Sequence, residues 1–405
     1  MSNILAAQSG GPTAAINATL AGVLKGAFGD RSVNNVYGAL NGIEGVLSEN
    51  FKDMSQFKSE ENLRLLMQTP SSYLGSCRHK LPPPADDESI YIKIFNILKK
   101  HNISDFFYIG GNDSMDTVHK MSVFAKAKGI DIRIAGVPKT IDNDLLLTDH
   151  TPGFGSAAKF VANSIKQLAL DTGVYKMKSA VILETMGRNA GWLTAAAALA
   201  NDEKNTYADI IVLPEVAFDK DKFLEKVEKT ANEKGTVTIA LSEGIKDKNG
   251  CYIGEALTKR DRAHDKFNHA ILGGAGKITE NIINAELGIK VRSIELSTLQ
   301  RCFSCLSSRT DIEESVYLGE EAFKTARSGK SGFMAGFNRI SDKPYKVSAS
   351  DFDAGKAAGF EKKIPSEMIA EDNFSVTDKF FIYARPLIEG EFPVAYENGV
   401  IKFSD

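Results

Sequence analysis

The chain reads as an α/β protein with mostly parallel sheets covered by helices on both faces, and three observations support this. Short apolar runs alternate with longer amphipathic runs along most of its 405 residues. The apolar runs are near-continuous rather than alternating, as strands buried on two faces require. Composition is ordinary for a globular chain, 43% hydrophobic and 25% charged, with length enough for two domains.

The elements follow in order. Strands are expected at 3–7, 35–40, 105–110, 132–137, 179–184, 208–213, 236–241, 291–296 and 332–337. Helices are expected at 14–28, 60–68, 87–101, 114–129, 155–171, 190–200, 219–234, 274–287 and 311–328. Within 155–171, Ala158, Val161, Ile165 and Leu168 recur at helical spacing. In "LPPPADDES" either Asp86 or Asp87 can cap the helix that follows. The polar stretch 246–268 reads as an excursion from the sheet, and the tail after 378 as β-rich with a terminal hairpin.

Several classes are set aside. A net charge of −3 gives no reason to expect a nucleic-acid partner. No apolar run reaches the ~18 residues of a membrane span, and the N-terminus lacks a signal-peptide pattern. Four cysteines in this length make no disulfide framework, so a reducing cytoplasm is expected. Cys302 and Cys305 form a single C-x-x-C with no companion pair, and read as small residues rather than a metal site.

In such folds ligands gather beyond the carboxyl ends of the strands. Three loops there have the chemistry for phosphate. "QSGGPTAAIN" puts Gly10 and Gly11 before a helix, and "IGGNDSMDT" puts Gly110 and Gly111 before another. Paired glycines let backbone approach an anion, and a helix start offers free N–H groups, although such turns also use glycine for shape alone. The third loop, "GVPKTIDNDLLLTDHTPGFGS", collects Lys139, Thr140, Asp142, Asp144 and Asp149 after a strand. None of the three is a dinucleotide fingerprint, and "LGGAGKIT" fails the Walker A pattern at both ends. Arg188, Arg292 and Arg301 stand at strand ends or turns, suited to phosphate. Glu243 directly follows a strand, where a carboxylate can accept from sugar hydroxyls.

The ordered set "SGG…N", "YLGSCR", "GGNDS", "PKTIDND", "ETMGRNAG", "SEG" and R-x8-R resembles the phosphofructokinase family over about residues 3 to 335. The resemblance implies two Rossmann-like three-layer α/β domains in the phosphofructokinase fold. One would bind the phosphate donor, over 1–153 plus about 300–350; the other would bind fructose 6-phosphate, over 154–299 plus about 351–405. It also implies Mg²⁺, a homodimer or homotetramer, and active sites shared between subunits.

Residue by residue, Asp142 matches the base that takes the proton from the 1-hydroxyl. Thr140 and Asp144 match neighbours that orient substrate and metal. Arg188, with Met186 and Gly187, matches a segment contacting the sugar and the transferring group. Glu243 matches a sugar-hydroxyl ligand. Arg292 and Arg301 match a 6-phosphate clamp, with Arg292 reaching in from a neighbouring subunit. Gly11, Arg78, Asn112, Asp113 and Ser114 match the donor side, and Asn112, Asp113 and Asp144 the metal set. Departures are Asn112 where an aspartate is usual, Thr298 where a phosphate-binding histidine is usual, and Ser179 where an interface arginine is usual, with Lys176 or Lys178 available to replace that charge.

Asp113 and Lys139 replace two glycines of ATP-using members, the pattern of the pyrophosphate-dependent branch. A carboxylate at 113 would crowd and repel a nucleotide's α-phosphate; two unit charges at ~4 Å and an effective dielectric of ~20 cost about 4 kcal/mol. Lys139 would supply the counter-charge that pyrophosphate needs. The expected donor is therefore pyrophosphate, the acceptor fructose 6-phosphate. An ATP-dependent enzyme or a non-catalytic sugar-phosphate-binding subunit are the alternatives.

Overall fold

The computed structural model describes residues 1–174, 176–254 and 274–404. The chain divides into two compact units: Met1–Ser156 with Arg301–Phe360 and Glu389–Asp405, and Ala157–Gln300 with Glu361–Ile388.

In the first unit, β1 (Ser2–Gln8), β2 (Val33–Ala39), β3 (Phe51–Asp53), β4 (Ile103–Gly110) and β5 (Arg133–Pro138) are followed by a passage through the second unit, whose strands are β6 (Ser179–Thr185), β7 (Ile210–Val212), β8 (Thr236–Ser242) and β9 (Lys290–Glu295). The chain returns with β10 (Phe333–Asp342) and β11 (Tyr345–Asp353). The first sheet has the order β11-β10-β5-β4-β1-β2-β3. Its inner pairs are parallel, and β3 and β11 close the edges antiparallel.

Both faces of this sheet are buried, which is why its strands read as unbroken apolar runs. Ile4, Ala6, Phe107, Ile109, Ala135 and Val137 pack on one face beneath the helices Ile16–Gly29 and Arg309–Arg327. Leu5, Ala7, Phe106, Tyr108 and Ile134 pack on the other beneath Glu88–Lys100 and Asn112–Lys128. The first helix pair touches backbone to backbone: a Cβ on Gly22 would lie 2.1 Å from the Val316 carbonyl oxygen, and one on Gly319 2.3 Å from that of Thr19. Asp87 caps its helix, its Oδ1 accepting from the Ser89 N–H at 3.0 Å.

The second unit holds an all-parallel sheet of order β7-β8-β6-β9. Ile182, Val212, Ile239 and Leu241 pack against Phe223, Val227 and Ala231 of helix Lys220–Lys234 and Ile283 of helix Ala275–Leu287.

Three expectations need correction. The tail does not begin as β-structure: Asp378–Ala384 is α-helix continuing as a 3-10 turn to Ile388. Phe380, Tyr383, Ala384 and Leu387 fall at i, i+3, i+4, i+7 and are buried, so helical periodicity overrides the strand propensity of the aromatics. Only the small hairpin of Tyr396–Glu397 and Val400–Ile401 matches the expected ending. Residues 351–360 and 389–405 belong with the first unit, not the second. The last segment is anchored there by Gln68, whose Oε1 accepts from the Ala395 N–H at 2.9 Å, and by Thr69, whose Oγ1 accepts from Ser404 at 2.9 Å. The strands β3 and β11 were not anticipated, being a three-residue edge and a polar one. Most of the excursion at 246–268 lies outside the described residues.

Candidate active site

In the first sheet β2 lies on one side of β1 and β4 on the other, so the strand order reverses between β1 and β4. Loops that leave neighbouring strands in opposite directions open a crevice at such a point. Gly10-Gly11 follows β1 and Gly111 follows β4. The two loops are tied by the Ser9 and Ser114 hydroxyls, 2.6 Å apart and buried. Ser114, expected to face the donor, is therefore occupied in joining the loops. A third segment is strapped on: the Ser76 hydroxyl donates to the Gly10 carbonyl at 2.7 Å, which holds the exposed Arg78 beside the diglycine loop.

Lys139 leaves β5 next door, its N–H donating to the Gly110 carbonyl at 3.0 Å. Its side chain is only 2% exposed. The ammonium packs close to both glycines: Nζ is 2.9 Å from where a Cβ on Gly10 would stand, and 3.9 Å from one on Gly111, an ordinary contact. Arg301 joins it, with Nη1 3.3 Å from a Cβ built on Gly11. Gly10 also has φ +77°, a conformation that favours glycine. Burial pulls the Lys139 pKa down to about 8, Asp142 and Asp144 hold it up, and Arg301 lowers it further.

The backbone explains how Asp142 and Asp144 are presented. The Asp142 N–H donates to Thr140 Oγ1 at 3.1 Å. Asn143 between them is left-handed at φ +54°, which asparagine tolerates better than most residues. Its buried Oδ1 accepts from the Thr151 N–H at 3.1 Å, and the Thr151 hydroxyl donates to the Thr140 carbonyl at 2.8 Å. The loop is thus closed on itself. Beyond it Asp311 accepts from the N–H groups of Gly153 and Ser156 at 2.8 and 2.9 Å.

Asp113 and Lys139 have different charged neighbours. Asp113 is half exposed and its Oδ1 is 3.0 Å from Lys80 Nζ. The acids that act on Lys139 are Asp142 and Asp144. Asn112 is also drawn away: Oδ1 accepts from the Gly359 N–H at 2.5 Å and Nδ2 donates to the Phe360 carbonyl at 2.7 Å. Among the described residues no three His, Cys, Asp or Glu side chains cluster as ligands for one ion. Of the expected metal set, Asp144 alone stands by Lys139, with Asp142 beside it. Two hard carboxylate oxygens suit a Mg²⁺ whose remaining ligands are phosphate and water.

In the second unit the order reverses beside β6, and the loops after β6, β8 and β9 carry Met186–Arg188, Glu243 and Thr298. The first two loops are in close contact. The Ser242 hydroxyl donates to the Gly187 carbonyl at 2.7 Å, and the Gly187 N–H donates to Glu243 Oε1 at 3.4 Å. A Cβ on Gly244 would overlap the Arg188 carbonyl at 1.9 Å, so that close approach requires glycine. The Met186 N–H donates to Gln300 Oε1 at 3.2 Å. Arg188 Nε is buried with no hydrogen-bond partner among the described residues. Thr298 is exposed in a 3-10 turn. Arg292 is not at this strand end; it is exposed within the edge strand β9, level with Val181. Ser179 is buried, Lys176 is exposed, and Lys178 donates to Asn232.

Two groups had no signal in the sequence. Lys80, two residues beyond Arg78, is the partner of Asp113. His150 is buried with Nδ1 2.8 Å from Asp149 and Nε2 2.8 Å from Glu314, partners distant in sequence or ordinary in type.

A family model for phosphofructokinase matches residues 3–323. A pyrophosphate–fructose 6-phosphate 1-phosphotransferase of Xanthomonas campestris is 42% identical over 404 residues, covering 99% of this chain and 95% of its own. One of Methylococcus capsulatus is 38% identical over 402 residues, covering 98% and 94%. The crystal structure of a pyrophosphate-dependent phosphofructokinase from Nitrosospira multiformis superposes with a TM-score of 0.90 at 35% identity, covering 99% of this chain and 95% of that one. The motifs, the sheet order and these likenesses agree: the chain belongs to the phosphofructokinase family.

Proposed function

We propose that the protein transfers a phosphoryl group reversibly from pyrophosphate to the 1-hydroxyl of fructose 6-phosphate, giving fructose 1,6-bisphosphate and phosphate. The observation that carries the donor assignment is the buried Lys139 ammonium over Gly10 and Gly111. A small polyanionic donor without nucleoside contacts has to be held by charge, and this charge stands beside a strand-order reversal. The names of the Xanthomonas, Methylococcus and Nitrosospira relatives support the same donor.

Asp142 accepts the proton of the 1-hydroxyl. The oxygen then attacks the terminal phosphorus in line, the bridging P–O bond breaks, and its electron pair leaves with phosphate. Thr140 fixes Asp142 through the backbone. Lys139 offsets charge on the donor, and Gly11 and Arg78 bind it with backbone and guanidinium. Asp113 acts with Lys80 as a pair rather than as a bare charge. Mg²⁺ bound with the donor would be held by Asp144 and Asp142 and would neutralise phosphate charge. In the second unit Met186, Gly187, Arg188, Glu243 and Thr298 bind the sugar phosphate; Arg188 offers a buried Nε still to be partnered.

Arg292, exposed on an edge strand, is assigned to the 6-phosphate site of a neighbouring subunit in a homodimer or homotetramer. A cytoplasmic setting belongs to the same reading, because both substrates are charged metabolites.

The test is a donor panel. Pyrophosphate with Mg²⁺ should support turnover of fructose 6-phosphate, and ATP should not. Turnover with ATP alone rejects the donor assignment.

A further inference from the structure

We propose that Asp311 is a positioning residue for phosphoryl transfer: its buried carboxylate holds the turn at Gly153 and Ser156, and through that turn it fixes Asp142. This rests on the function proposed above, in which Asp142 accepts the proton.

Asp311 is 4% exposed in the first turn of the helix Arg309–Arg327. Both of its oxygens are engaged. Oδ1 accepts from the Gly153 N–H at 2.8 Å, and Oδ2 from the Ser156 N–H at 2.9 Å and the Ser156 hydroxyl at 2.5 Å. The Ser156 oxygen in turn accepts from the N–H of Ser308, the residue that caps the helix of Asp311, at 3.2 Å. Gly153, Ser156, Ser308 and Asp311 all belong to the first unit. The groups facing the carboxylate are all donors, so the site calls for a side chain that only accepts; an amide would turn its NH₂ toward one of them. Burial raises the Asp311 pKa, and the hydrogen bonds from Ser156 and Gly153 oppose that rise. A helix start by itself asks for no more than an exposed cap, so a carboxylate buried here costs more than capping requires.

The path from this carboxylate to the base is short. Gly153 forms a parallel bridge with Thr140, whose N–H donates to the Pro152 carbonyl at 3.2 Å. Thr140 Oγ1 then accepts from the Asp142 N–H at 3.1 Å. Local preference does not hold the turn in place: Gly153 has φ +103°, and a Cβ there would lie 2.8 Å from the Thr13 side chain. Its position is set from outside, by a helix that packs backbone to backbone against Ile16–Gly29. A general base displaced by ~1 Å loses about a hundredfold in rate, so the anchor of the turn bears on turnover as well as on folding.

The experiment is a double-mutant cycle on the full chain. Wild type, Asp311→Asn, Asp142→Asn and the double variant are each measured for turnover with pyrophosphate and fructose 6-phosphate, and for thermal midpoint. Asp311→Asn should lower kcat by about tenfold to a hundredfold, with both KM values within about threefold. In the Asp142→Asn background the same change should alter kcat by less than about twofold, because no base remains to be placed. The drop in thermal midpoint should be equal in the two backgrounds, which separates placement of the base from loss of stability. Ser156→Ala, which removes the hydroxyl bond to Asp311, should give a smaller fall of the same pattern, and replaces Asp311→Asn in the cycle if that variant does not fold. An unchanged kcat, or a fall by the same factor in both backgrounds, overturns the proposal. Asp142→Asn with near wild-type turnover would instead remove the assignment of the base beneath it.

Discussion

The Lys139 ammonium packs against the bare α-carbon of Gly10, with Nζ 2.9 Å from where a Cβ would stand, closer than such contacts normally come. Glycine at 10 and lysine at 139 are therefore a matched pair. Gly10→Ala should push the ammonium out of its seat and strain a backbone held at φ +77°. The expected result is a KM for pyrophosphate raised by about tenfold and a stability loss of about 1–2 kcal/mol. Steady-state kinetics and urea melts check both parts; an unchanged KM would show that the contact does not matter for the donor.

Lys139 should cost stability while serving function. Its pKa is lowered to about 8 from 10.5, chiefly by burial, equivalent to roughly 3 kcal/mol against the charged form. The unfolded lysine holds its proton up to the higher value, so the unfolded state binds more protons between the two. Stability should therefore rise with pH from about 8 to about 10.5 and be flat below. Lys139→Met should be more stable than wild type near neutral pH by about 1–3 kcal/mol, lack that rise, and lose turnover with pyrophosphate. Denaturation at several pH values decides it; a Met variant less stable than wild type near pH 7 contradicts the account.

Asp142 is tested on turnover. Asp142→Asn removes the proton acceptor but keeps the size of the side chain. A fall in kcat of about 10²–10⁴-fold, with the KM for fructose 6-phosphate within a few-fold, is expected. Near-normal kcat would move the base elsewhere.

His150 gives a second pH signature of opposite sign. Burial alone disfavours the imidazolium, but hydrogen bonds to Asp149 and Glu314 prevail, so its pKa is raised. Asp149 in turn is lowered to about 2, burial being outweighed by His150 and Arg339. A raised histidine contributes stability that is complete below its unfolded value and is lost as pH climbs through the folded one. His150→Gln should melt earlier at about pH 6, by a margin of about 1–3 kcal/mol, and the gap to wild type should narrow as pH rises. Calorimetry across the range checks it; a gap that widens with pH refutes it.

Much of the strand and helix order was readable because burial on both faces leaves unbroken apolar runs such as Phe106–Ile109, and amphipathic runs such as 220–234 keep their period. Asp378–Ala384 was misread because Phe380, Phe381 and Tyr383 favour strands locally while their spacing favours a helix. At the site, the types and spacing of Lys139, Asp142 and Asp144 are local and visible. What Asn112 and Asp113 do is settled by Phe360 and Lys80, which lie 248 and 33 residues away along the chain, and no local pattern carries that. The pairing of His150 with Glu314 is hidden for the same reason.

The hydroxyl link from Ser9 to Ser114 joins positions 105 apart in the chain. The anion cradle is therefore a product of long-range assembly and has no counterpart in any short fragment. Because β1 and β4 must be aligned Gln8 to Ile109 for the link to close, a slip by one residue would turn each side chain to the wrong face and undo it. Diphosphate capture can thus serve as an inspection gauge for correct strand alignment in refolded or redesigned versions of this chain.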